Sequence, residues 1–102
     1  MKLTATGPPE VLEASLARAK AIELDYPTDA LRRGVEGWVD IGYIVTGEGK
    51  VTTIKVLDSS PKSVFDAAAT RALARMRYKP ATQGGKSIAV STKLRISFRL
   101  SK

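Results

Sequence analysis

From Lys86 to Leu100 apolar residues fall at every second position: Ile88, Val90, Leu94, Ile96, Phe98 and Leu100, with only Thr92 interrupting the row. Between them stand Ala89, Ser91, Lys93, Arg95, Ser97 and Arg99. A period of two makes this a β-strand with one dry face and one wet, cationic face. The dry face demands the rest of a sheet and something to cover it. At up to 15 residues the strand exceeds the common length and is expected to outrun its neighbour.

The remaining segments supply that sheet. Gly37 to Thr46 reads as a strand with Val39, Ile41, Tyr43 and Val45 on one face. Trp38 and Ile44 make its other face partly apolar, the mark of a central strand. Gly47-Glu48-Gly49-Lys50 is a hairpin turn, and Val51 to Asp58 returns with Ile54 and Val56 on one face. Ser60 and Pro61 suit the cap and first position of a helix from Lys62 to about Arg77. Phe65, Ala68, Ala69, Ala72, Leu73 and Met76 form its stripe, small enough for close approach to a sheet. Pro80 ends it, and Thr82 to Gly85 reads as a loop.

Upstream, Gly7-Pro8-Pro9 marks residues 1–9 as a flexible tail. Val11, Leu12, Leu16, Ala19 and Ile22 predict a helix from Glu10 to Glu23, so residues 10–24 form an N-terminal helix or linker. Asp25-Tyr26-Pro27 stops it, and Thr28 to Arg33 is a short second helix ended by Gly34. The expected fold is α+β: helix, short helix, strand, strand, helix, strand. Its three-stranded antiparallel sheet is packed by helices, with the last strand at an edge.

With 102 residues the chain is one domain, and it contains neither cysteine nor histidine. Zinc sites, thiol chemistry and histidine-based triads are thereby excluded, so no enzyme and no cofactor are expected; a carboxylate-only site stays open. Residues 1–58 carry seven Lys+Arg against nine Asp+Glu, whereas residues 59–102 carry ten against one, Asp66. So lopsided a charge favours an acidic partner. No stretch reaches the ~18 apolar residues of a membrane span. Gly85-Lys86-Ser87 precedes a strand rather than a helix, which argues against a phosphate loop. Nucleic acid is not expected either, because Phe98, the last strand's only aromatic residue, points inward by alternation.

Two readings fit the wet face of the last strand. Lys93, Arg95 and Arg99 can be gatekeepers that keep an exposed edge soluble. They can also steer an extended peptide that adds to the edge through main-chain bonds, and the two roles are compatible. Tyr26-Pro27 is either a turn or an aromatic anchor beside that edge. A free edge also allows homodimers by strand exchange.

An ordered set of motifs resembles the C-terminal domain of TonB-type energy transducers. It comprises Tyr26-Pro27, Ala30-Leu31-Arg32, Glu36-Gly37-Trp38-Val39, Gly49-Lys50-Val51, Phe65-Asp66, Arg77-Tyr78-Lys79-Pro80 and Ile96-Ser97-Phe98. The match covers about residues 25–100, so that 25–102 is the TonB-like domain. The resemblance implies a periplasmic domain whose full-length protein is anchored in the inner membrane and driven by an ExbB–ExbD-type motor. It implies a partner as well: the TonB box of outer-membrane transporters for siderophores, haem or cobalamin, which pairs with the last strand. By that resemblance the partner-binding residues are Tyr26, Pro27, Ser91, Lys93, Arg95, Ser97 and Arg99. A TonB-like or TolA-like domain for envelope integrity or receptor signalling is the alternative, and a cell-wall scaffold a further one.

Overall fold

Val39, Ile41, Tyr43 and Val45 are all buried, and the residues between them are half-buried, so this strand has neighbours on both sides and cover on one face. The computed structural model describes residues 8–100. In chain order the elements are β1 (Arg18–Lys20), α1 (Thr28–Arg33), β2 (Gly37–Val45), β3 (Val51–Ser60) and α2 (Asp66–Ala74). Then follow β4 (Arg77–Tyr78), β5 (Ala81–Gln83), β6 (Lys86–Ile88) and β7 (Val90–Phe98). The main sheet is antiparallel with order β3-β2-β7, which places β7 at an edge as its pattern predicts.

The two ladders on β2 differ. Against β7 the register is unbroken, from Gly37 opposite Phe98 to Val45 opposite Val90. Against β3 it slips between Asp40 and Ile41 and again between Gly42 and Ile44. Leu57 has no partner across the first slip, and Thr53, near the second, adopts a φ of 52°. These are β-bulges, and they twist β3 as an edge.

Ala68, Ala69, Ala72 and Leu73 of α2 are buried over the sheet. The helix is shorter than its apolar stripe suggests, because residues 61–65 turn before it starts and Phe65 becomes its N-cap. Phe65 stacks on Phe98 with ring centroids 4.4 Å apart. The Tyr26 ring meets Phe65 and Phe98 edge-on, at 5.5 and 5.8 Å. α1 ends at Gly34, whose φ of 67° is the left-handed cap expected of glycine.

Two expectations fail. Residues 10–23 form no helix: the chain runs extended except for a single 3-10 turn, Glu13–Ser15, and then forms β1 paired antiparallel with β4. Their helical preference is weak beside what the neighbouring edges supply, namely backbone partners and a place for Val11, Leu16 and Ile22 against the core. Of the expected tail, residues 1–7 lie outside the described residues, whereas Pro9 accepts a bond from the Ser91 N–H. The long last strand is also divided at Ala89, and its first part, β6, folds onto β5. Gly84 and Gly85, with φ of 60° and 83°, make the intervening two-residue turn that the sequence suggested only as a loop.

Gly49 occupies the tightest of these turns. Its φ is 87°, and a Cβ there would lie 2.0 Å from the Tyr78 carbonyl oxygen, whereas one at Gly84 would meet nothing within 4 Å. Gly49→Ala is therefore expected to cost about 3 kcal/mol or more in urea denaturation, against about 1 kcal/mol for Gly84→Ala.

Candidate peptide-docking edge

In an antiparallel ladder the N–H and C=O of one residue point to the same side. Ser91 directs both away from β2: its N–H donates to Pro9 O at 2.9 Å and its C=O accepts from Val11 N at 2.8 Å. Glu10 thus bridges Ser91 in parallel, and the Thr92 hydroxyl donates to Val11 O at 2.7 Å. Because the β7 register is unbroken, Lys93, Arg95 and Ser97 must also aim their backbone groups outward. Among the described residues those groups have no backbone partner.

On the open face each expected side chain has a distinct setting. Arg95 lies directly opposite Asp40 and donates to both its carboxylate oxygens, from Nε at 2.7 Å and Nη2 at 3.0 Å. Its guanidinium also sits 3.9 Å above the Trp38 ring. The hydrogen bond from Arg95 holds the Asp40 carboxyl below its ordinary range, although partial burial opposes it. Arg95 is therefore a fixed strut between strands. Lys93, opposite Gly42, is exposed and forms no ion pair among the described residues. Ser97 lies opposite Trp38, and Arg99 is exposed just past β7. The following residue is tied down, since Leu100 N donates to Glu36 Oε2 at 2.6 Å.

Tyr26 sits on the dry side of the sheet. Its hydroxyl donates to Val35 O, its ring supports Phe98 from behind, and Pro27 beside it opens α1. Lys93, Arg95, Ser97 and Arg99 thus share one edge, Ser91 is on that edge but bonded within the chain, and Tyr26 with Pro27 backs it.

The sequence gives no sign of the strap, residues 9–20, that holds one end of this edge. Glu13 Oε2 accepts from Arg18 Nε at 2.8 Å and from the Tyr78 hydroxyl at 3.0 Å. That hydroxyl also pairs with the Tyr43 hydroxyl at 2.6 Å, and Lys79 N donates to Ala17 O at 2.8 Å. Burial pushes the Tyr43 phenol up to about 12 and raises Tyr78 as well. Burial also works to raise Glu13, but hydrogen bonds from Arg18 and Tyr78 outweigh it and hold the carboxyl below its ordinary 4.5. One clue was present: a tyrosine in the buried row of β2 must find a partner for its hydroxyl.

A depressed carboxyl stabilises the fold fully above its unfolded value and loses that contribution as pH falls through the folded value. Stability is accordingly expected to fall as pH drops below 4.5, and Glu13→Gln to flatten that part of the profile in denaturation series run into the acid range.

No described helix is long and apolar enough to cross a membrane. Residues 22–100 match the family model described as the C-terminal domain of the Gram-negative bacterial TonB protein. The chain is 35% identical over 77 residues to protein TonB of Pseudomonas aeruginosa, covering 76% of this chain and 22% of that protein. It is 36% identical over 76 residues to the tonB2 protein of the same organism, covering 74% of this chain and 28% of that one. The chain thus spans about a quarter of the length of these relatives. Its fold is similar to the solution structure of the P. aeruginosa TonB C-terminal domain, with a TM-score of 0.75 and 30% identity over 88% of this chain and 91% of that one. The Helicobacter pylori TonB C-terminal domain is more distant, at a TM-score of 0.58 and 30% identity over 76% of this chain and 70% of the other.

Proposed function

The chain belongs to the family of Gram-negative bacterial TonB C-terminal domains, and we propose that its β7 edge grips the TonB box of outer-membrane transporters as an added strand. The observation that carries this reading is the contrast between the two edges of the main sheet. β3 is interrupted twice by bulges, whereas β7 presents the outward backbone groups of Lys93, Arg95 and Ser97 in unbroken register. Main-chain pairing accepts many side-chain sequences, so one domain serves several transporters. Loaded along the strand, those hydrogen bonds share the force in shear. No catalytic group is required.

In this reading the domain works in the periplasm. The ExbB–ExbD-type motor acts through other parts of the full-length protein, which is held in the inner membrane. Tension passes through the domain to the box and opens the transporter for siderophores, haem or cobalamin. Lys93 and Arg99 are the exposed cations that meet acidic groups around the transporter mouth, and Tyr26 with Pro27 stiffens the Phe98 end of the grip.

The test is a backbone amide NMR titration of the labelled chain with a TonB-box peptide. Shifts concentrated on Lys93 to Arg99 are expected; shifts concentrated away from this edge, or none at millimolar peptide, overturn the reading. Ser97→Pro removes one outward N–H and leaves the ladder to β2 intact, so binding should weaken about tenfold in a chain that stays folded. Ile96→Pro, by contrast, deletes a donor to β2 and should unfold the domain.

A further inference from the structure

The edge of β7 is already part-filled by the chain itself. Residues 9–11 run parallel to β7 and take both outward groups of Ser91, after which the chain leaves the edge through the Glu13–Ser15 turn. The strap is not loosely laid there, because the Glu13–Tyr78 bond and the Ala17–Lys79 bond hold it from the other side. Where it leaves, Leu12 remains 78% exposed, a large apolar side chain with no cover. A hollow of about 200 Å³ lies at this point, lined by Glu10, Val11, Leu12 and Lys93.

Resting on the reading of β7 as the grip, we infer that the strap is a built-in end stop that fixes the length and register of the accepted strand. Beyond it, among the described residues of β7, Lys93, Arg95 and Ser97 offer outward groups, roughly 13 Å of edge from the first to the last. The partner is therefore a short extended segment of about seven residues, pairing at those three positions. Its end at the strap carries an apolar side chain, which enters the hollow and covers Leu12. A longer strand gains nothing, since the next outward pair belongs to Ser91 and is taken. The strap also denies the partner any register shifted toward Val90, which a smooth edge would otherwise permit.

The test uses acetylated, amidated TonB-box peptides trimmed to between about four and about ten residues, against the full chain and a form lacking residues 1–12. In the full chain affinity should rise with length to about seven residues and then level, with the Ser91 amide unmoved. Without the strap the rise should continue for about two further residues and move Ser91; pairing there gains about tenfold and loss of the Leu12 contact returns about fivefold, a net of about twofold. Val11→Pro in the full chain deletes the donor to Ser91, along with the Val11 side chain, and should lengthen the accepted strand in the same direction. Leu12→Ala should weaken binding about fivefold in the full chain. Peptide binding with an identical length dependence in all forms, or a shifted Ser91 in the full chain, overturns the end stop and leaves the grip standing. Absence of binding at β7 in every form overturns the grip, and the end stop with it.

Discussion

The unbroken ladder between β2 and β7 is the constraint on which the rest depends. Nine consecutive pairs fix which residues of both strands face the helices. A slip of one residue would turn the dry row of one strand to water and drive Lys93 and Arg95 toward the core. The Asp40–Arg95 pair, directly opposite and stacked on Trp38, is satisfied in one register only. At the strand end Phe98 reaches Phe65 and Tyr26, so the helices are seated by the same alignment. The outward direction of the β7 edge is a by-product of this arrangement.

Part of the charge asymmetry along the chain folds into itself. Arg75 from the basic half meets Asp25, at 3.3 Å, and Arg95 meets Asp40, both acids of the N-terminal half. Exposed pairs of this kind add little to stability. They nevertheless spend cations that a linear reading assigns to a partner. On the strand itself Lys93 keeps its charge free among the described residues, so the local pull of the open face is weaker than its row of cations implies.

The core of the fold was legible because it rests on periodicity. The alternating rows of β2 and β7, the alanine stripe of α2 and the glycines of the first hairpin each signal locally, and the central position of β2 followed from its two-faced pattern. The N-terminal segment was misread because its pattern, Val11, Leu12, Leu16 and Ile22, suits a helix when no neighbour is considered. Only the folded sheet offers it an edge, and no local rule foresees a partner more than 60 residues away, as Glu13 finds in Tyr78. The edge residues were legible as a row, but Arg95 as an internal strut was not, because its partner lies on another strand. Tyr26 was left between turn and anchor, and its contacts with Phe65, Phe98 and Val35 give it a place in the interior packing.

The bulges in β3 govern what copies of this molecule can do to one another. A sheet with two regular edges can stack head to tail, each copy adding its first edge to the next copy's last, and such growth has no end. Here one side is kinked at two points and the other is regular, so head-to-tail pairing of the two edges is disfavoured. Contact of β7 with β7 is a two-fold arrangement that uses up both regular edges and closes on itself. A straighter β3 would leave the sheet two regular edges, and with them the geometry of an open filament.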